Sequence, residues 1–380
     1  MQKTLATADF LTRLESDHKS SADFIADSRA IRAIPNAMTE RVDVQVRDIP
    51  AGLLAEGRAA VDADWGSHPE IFRGPLTDHA AGQVAQRLSI PLGYFRRMEE
   101  SSAALAAVNV NHWLTGTPAD AGKRMLRTLD GEARAFLSDQ YKRIDNLQVA
   151  QMIAEAIGDT PGIEFKHLQV TDKKLYMHAV SDRLRGDVAV GDEVQGGFVV
   201  RNSEVGAGSI SVQPFIYRLV CLNGMVVGDK VGGYSRRHVG RRQEIESGAA
   251  VLSQEALQAD AVALSLAVRD TVQAAISSEA FDKVLGRMQE TTGRAIEQDP
   301  ETVVERLAES FKLTEPEQAA VLRNLWQGTD RSQWGLLNAV TAVANDSNLV
   351  SFDRAVELES IGGQILDLSP TQWERVAVAA

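Results

Sequence analysis

Apolar residues fall three and four apart from Thr77 onward, where Ala81, Val84, Ala85 and Leu88 form one stripe behind a threonine suited to an N-cap. Pro91 opens a second helix through Tyr94, Phe95 and Met98. The pair has the outline of a helix-turn-helix, but any short helical hairpin gives this pattern, so two packed helices is the plainer reading. Lys123, Arg124 and Arg127 then read as one face of a further helix, either an extension of a basic track or an ordinary solvated surface. From about Ala133 to Val227 the period changes to two. Ala135–Leu137, Ile163–Leu168 and Leu175–Val180 read as short strands, the last two joined by the polar loop Thr171–Lys174. A strand entered through glycines follows at Gly196–Asn202. After Val205-Gly206-Ala207-Gly208 comes Ser209–Gln213, in which Ile210 and Val212 share one face and Ser209, Ser211 and Gln213 the other. Phe215–Val220 suits either a continued strand or a helix.

After Glu244 the pattern is helical. Leu252–Ala275 is long and amphipathic, and further helices are expected near Pro316–Gln327, Ser332–Ala344 and Phe352–Leu366. Asp299-Pro300 and Ser369-Pro370-Thr371-Gln372 are N-cap and N1-proline signals, the latter also a capping box. The first 50 residues offer a helix at Ala8–Glu15 and otherwise an arm. The expected fold class is therefore α+β: a central, mostly antiparallel sheet with helices on one face, followed by a C-terminal helical region. The divisions are an N-terminal, partly irregular arm (1–75), an α+β core (76–245) and an acidic helical region (246–380).

Composition changes this picture little; charge distribution changes it more. With 44% hydrophobic and 24% charged residues in 380, a packed core is expected. No apolar run reaches the roughly 18 residues of a spanning helix, and the first residues lack a signal-peptide pattern, so the expectation is a cytoplasmic protein without a membrane partner. The single cysteine, Cys221, excludes an intrachain disulfide and a multi-thiolate zinc site, and its apolar neighbours place it in the core. The net charge of −12 is uneven: residues 1–120 carry −4, residues 121–243 carry +4, and the remainder −12. Lys230–Arg242 holds five basic residues and no acidic one.

That basic stretch carries the candidate chemistry. Glycines let backbone approach a ligand, guanidiniums bind phosphate bidentately, and Tyr234 offers a ring to a base. The nucleic-acid-binding set is Arg201, Arg218, Lys230, Tyr234, Arg236, Arg237, His238, Arg241 and Arg242. Beneath it a polar platform of Asn202, Ser203, Glu204, Ser209, Ser211 and Gln213 is expected, with the first three at the lip of the turn. The plainer alternative is a solvated basic loop paired with the acidic helices. Gly206-Ala207-Gly208 matches neither G-x-G-x-x-G nor a Walker loop, so a turn is favoured over a nucleotide cradle. His167 and His178 face each other across a hairpin near Glu164, a pattern more often structural than metal-binding. No catalytic residue, metal ligand or cofactor is assigned.

Four segments carry a resemblance: Asn109–Leu114, Arg134–Asn146, Asn202–Met225 and Ser332–Thr341. In order and spacing they resemble the phage/plasmid-like family of domain of unknown function 932, across most of residues 75–365. The resemblance implies a setting on phages and mobile elements rather than an activity. More loosely, a strand-rich core followed by a basic loop is similar in architecture to the ring-forming single-strand annealing recombinases. The leading expectation is a noncatalytic, homo-oligomeric protein that binds and anneals single-stranded DNA. The alternatives are a metal-dependent enzyme acting on nucleic acid or nucleotides, built on Glu204, Asp145 and His238, and an interaction protein that counters host defence.

Overall fold

The computed structural model describes residues 7–49, 68–115, 122–158, 160–228, 233–238 and 254–378. The fold is α+β, built on antiparallel sheets, the largest of them curled into half a barrel, with a helical C-terminal region. Helix α1 (Thr7–Ser20) leads into β1 (Ser21–Asp27), β2 (Ile31–Asn36), β3 (Arg41–Arg47) and β4 (Glu70–Pro75). Helices α2 (Asp78–Arg87), α3 (Leu92–Ser101) and α4 (Ala103–Thr115) follow, then the hairpin β5 (Lys123–Leu129) and β6 (Glu132–Ser138). Thr77 caps α2 by accepting from the Ala80 amide, as its position predicts.

Where the sequence suggests an arm, the chain instead forms strands. β1 pairs with β5, about a hundred residues away, and β2–β3–β4 is a meander packed against α4. These strands are short and become satisfied only by remote partners, which local alternation cannot announce. The same pairing corrects the reading of Lys123, Arg124 and Arg127: they lie on strand β5, not on a helix.

The largest sheet holds β7 (Ile163–Val170), β8 (Leu175–Ala189), β9 (Asp192–Asn202), β10 (Ile210–Arg218) and β11 (Asn223–Val226) as consecutive neighbours, with β12 (Tyr234–Arg236) also on the edge of β10. Phe215–Arg218 continues the strand. Leu175, Met177, Ala179, Phe198, Val200, Ile210 and Val212 point to one face, where α5 (Asn146–Ile157) and α6 (Gln254–Ala275) cover them. The C-terminal helices are α7 (Ser278–Thr292), α8 (Pro300–Phe311), α9 (Glu315–Gly328), α10 (Gln333–Val343), α11 (Phe352–Leu366) and α12 (Pro370–Ala377). Their caps at Asp299 and Ser369 form as the sequence predicts.

The second face of the sheet is not open to solvent, because α11 lies along it. Tyr176 donates to Asp353 at 2.6 Å, His178 Nε2 meets Glu359 at 3.1 Å and Arg201 donates to Ser360 at 2.9 Å. Phe352 stands edge-on to His167, Tyr176 and His178. Gly363 is where helix and strand touch: a Cβ there would lie 1.9 Å from the carbonyl oxygen of Val226. The polar strand face therefore binds another element of the same chain.

Candidate nucleic-acid interface

The turn after β9 is the joint between the small β1–β5–β6 sheet and the large one. The Asn202 amide donates to the Ile144 carbonyl and to Asn146 Oδ1, both at 2.9 Å. Ser203 Oγ donates to the Lys173 carbonyl at 2.8 Å and accepts from the Ala207 amide at 2.8 Å. Glu204 accepts from the Asn146 amide at 2.6 Å and from the Arg134 guanidinium. Arg127 donates to the Glu204 carbonyl at 3.1 Å, to Asp23 at 2.8 Å and to Asp145 at 2.8 Å. The Val205 carbonyl takes hydrogen bonds from Gln83 and His79 on α2 at 2.7 and 2.9 Å.

Asn202, Ser203 and Glu204 are therefore not at a solvent-facing lip; all three are buried. A buried carboxylate is tolerable only when paired and hydrogen-bonded, and Arg134 with the Asn146 amide supplies both. Asp145 and Glu204 do approach the same arginine as His238 does, so the three residues of the metal-enzyme alternative are near one another. Guanidiniums, however, hold both carboxylates. Among the described residues no group of three or more His, Cys, Asp or Glu is placed to hold a metal ion.

A groove of about 350 Å³ opens beside this joint, bordered by Leu137, Tyr141, Gly206, Ser209, Arg237 and His238. Gly206 has φ of +78° and a Cβ there would sit 2.6 Å from Leu137 Cδ2, so backbone conformation and space both require glycine. The Tyr141 hydroxyl donates to the Ser203 carbonyl at 2.7 Å. Its ring stacks on that of His238 with centroids 5.2 Å apart and planes 4° from parallel. Lys142 and His238 exchange further bonds. The Lys142 amide donates to the His238 carbonyl at 2.9 Å, and His238 Nδ1 meets the Lys142 carbonyl at 3.1 Å. Facing a carbonyl, Nδ1 must carry the proton, which leaves Nε2 as the atom without a protein partner, on a ring only 3% exposed. Burial holds this imidazole below its ordinary pKa of 6.5, the Lys142 carbonyl opposing in part. Arg237, beside it, is exposed.

The structure thus gathers Ser209, Arg237 and His238, and directs the other predicted residues elsewhere. Arg201 is turned into α11. Arg218 pairs with Asp192 at 2.5 and 2.9 Å and lies 5.9 Å over the Trp334 ring, while Trp334 Nε1 donates to Asp192 at 2.7 Å. Arg236 is tied to Asp260 of α6 at 2.5 Å. Tyr234 packs on the covered apolar face, pairing in register with Val212. Ser211 and Gln213 are half-buried on the α11 side. Each had looked available because a strand's alternation reveals which face is polar but not what covers it. Lys230, Arg241 and Arg242 lie outside the described residues.

Three further expectations meet the structure. His167 and His178 do pair across β7 and β8, with rings 5.7 Å apart, but Glu164 turns outward to Lys166 and the buried partner of His178 is Glu359. Cys221, expected in the core, is exposed, since β10 ends at Arg218 and the chain turns before β11. Arg127, Arg134 and Tyr141 organise the joint; the sequence reading placed Arg127 on a helix face that would extend the basic track or be solvated, where the structure buries it, and gave the other two no role. The signal was available for two of them, because Arg134 and Tyr141 sit inside a segment that carries the family resemblance.

No curated protein and no solved structure matches the chain. No helix among the described residues is long and apolar enough to cross a membrane. The model of the domain of unknown function DUF932 matches residues 135–358, more than half of the chain and inclusive of the β9–β10 joint, the groove and most of the C-terminal helices; the protein belongs to the DUF932 family.

Proposed function

We propose that this is a nucleic-acid-binding protein of a phage or other mobile element, which grips single strands at the groove bordered by Gly206, Ser209, Arg237 and His238 and anneals them as an oligomer. One observation carries the reading: a buried imidazole, one of whose nitrogens has no protein partner, lines a groove that an exposed guanidinium and a glycine turn also border. Buried polar atoms are nearly always satisfied, so an orphan at a groove marks a place for a ligand atom. An anionic oxygen suits this one. Protonation at Nε2 makes it a donor, and Arg237 adds a delocalised cation that binds phosphate oxygens. The basic residues Lys230, Arg241 and Arg242 flank this segment in sequence. Arg201, Arg218 and Arg236 have internal partners and are withdrawn from the binding set.

The test is fluorescence anisotropy of a labelled single-stranded oligonucleotide at low and rising salt, followed by an annealing assay with its complement. Binding is expected to weaken with log-log slope of about 0.7 per phosphate contacted. Arg237→Ala is expected to lower affinity about tenfold. Absence of binding at low salt by the folded protein ends this reading.

A further inference from the structure

A second pocket, of about 390 Å³, opens on the opposite side of the small sheet. Adjacent strand residues point to opposite faces, and here Phe136 lines this pocket while Leu137 borders the groove described above. Its size lies within the range of small-molecule sites. Its rim holds Tyr94 of α3 and Trp113 of α4, which are 52% and 46% exposed, with Arg87 at the end of α2 and Arg124 on β5. Single exposed aromatics are ordinary on a protein surface, but two bordering one pocket together with two guanidiniums are not.

The rim is also held in place. Ser89, in the α2–α3 turn, has φ of +55°, a region that non-glycine residues seldom occupy. Its amide donates to the Gln86 carbonyl at 3.2 Å, and the next amide, of Ile90, donates to the Ala85 carbonyl at 2.8 Å. A turn kept in an uncommon conformation beside a pocket is the pattern of a preformed site. Arg124 is likewise oriented, donating to the Lys123 carbonyl at 2.9 Å. Arg87 is exposed at the mouth.

We infer that this pocket binds a nucleoside phosphate, either free or as one unit of a single strand, with the base against Trp113 and Tyr94 and the phosphate held by Arg87 and Arg124. Aromatic faces accept any base by stacking, and guanidiniums provide the anion's counter-charge. The two sources share that chemistry. The inference does not depend on the groove, because the pocket is on the other face of β6.

Calorimetric titration of the full-length protein with nucleoside monophosphates, the matching nucleosides and a short single-stranded oligonucleotide decides it. Trp113→Ala is expected to weaken monophosphate binding at least about tenfold, while Trp113→Phe, which keeps a ring, stays within about threefold. Arg87→Ala should weaken the monophosphate and leave the nucleoside nearly unchanged. Saturable monophosphate binding identifies a free-nucleotide site; response to the oligonucleotide alone, still lost in Trp113→Ala, identifies a strand subsite. Trp113 is exposed, so its variants are expected to fold, which a thermal melt verifies. The inference is overturned if neither probe binds the folded protein, or if Trp113→Ala binds both as the wild type does.

Discussion

Arg237 and Arg218 both stand at the end of a strand, and their surroundings give them different roles. Arg218 is tied to Asp192, which also serves Trp334, so Arg218→Ala leaves a buried carboxylate with two hydrogen bonds fewer. The expected cost is about 2–3 kcal/mol of stability, read from the urea midpoint, with oligonucleotide affinity unchanged in the folded fraction. Arg237→Ala is expected to do the reverse, lowering affinity and leaving the midpoint within about 0.5 kcal/mol. His238 adds a pH dependence. Burial lowers its pKa in the fold, so the unfolded chain binds the proton more readily, and its contribution to stability is complete above pH 6.5 and declines as pH falls through 6.5 toward the folded value. Phosphate beside Nε2 works in the opposite direction by favouring the charged ring, so strand binding takes up a proton. Affinity should therefore rise on acidification from about pH 8 to about pH 6, and His238→Gln should remove the rise. An identical pH profile in that variant would show that Nε2 does not meet the ligand.

At the scale of elements, two glycines decide contacts that no side chain can. Gly206 closes the β9–β10 joint at positive φ against Leu137, so Gly206→Ala combines backbone strain with a clash and should cost about 2 kcal/mol. Gly363 lets α11 lie on β11, and Gly363→Ala should push the helix off the strand at a cost of about 3 kcal/mol, seen as a lowered melting temperature. The elements differ in how well local sequence announces them. The alternation at Ile210 and Val212 and the caps at Thr77, Asp299 and Ser369 are short-range effects, and the corresponding strand and helices form where expected. β1 and β5 are different, because what makes them strands is their mutual pairing across about a hundred residues. Lys123, Arg124 and Arg127 accordingly have helix-like spacing but a strand's conformation.

For the whole molecule, the acidic helical region is not separable from the sheet. One apolar cluster runs from Leu184, Val194, Ile216 and Met225 of the strands to Phe281, Leu337, Val340 and Leu358 of the helices. A chain ended after residue 245 would expose that surface together with the buried His178 and Tyr176 and the half-buried Arg201. It is expected to be insoluble or unfolded, with no cooperative thermal transition. A soluble fragment with a sharp melt would show that the sheet is autonomous. The helices also account for much of the negative charge, which lets a chain of net charge −12 keep a local basic segment around Arg237.

The sequence by itself determined the α+β class, most of the helices, strands β7 to β10 of the central sheet and the family segments, because periodicity, caps and turn residues act within a few positions. It also singled out Ser209, Arg237 and His238, which border the groove together with Leu137, Tyr141 and Gly206. Tertiary structure alone decided which polar residues meet solvent. Asn202, Ser203, Glu204, Arg201 and Arg218 look available on a strand or turn, but each finds its partner more than 20 residues away, in Ile144, Lys173, Asn146, Ser360 and Asp192 respectively. Such long-range pairing leaves no local pattern, and it is what left Arg237 and His238, alone among the described nucleic-acid residues, facing the groove.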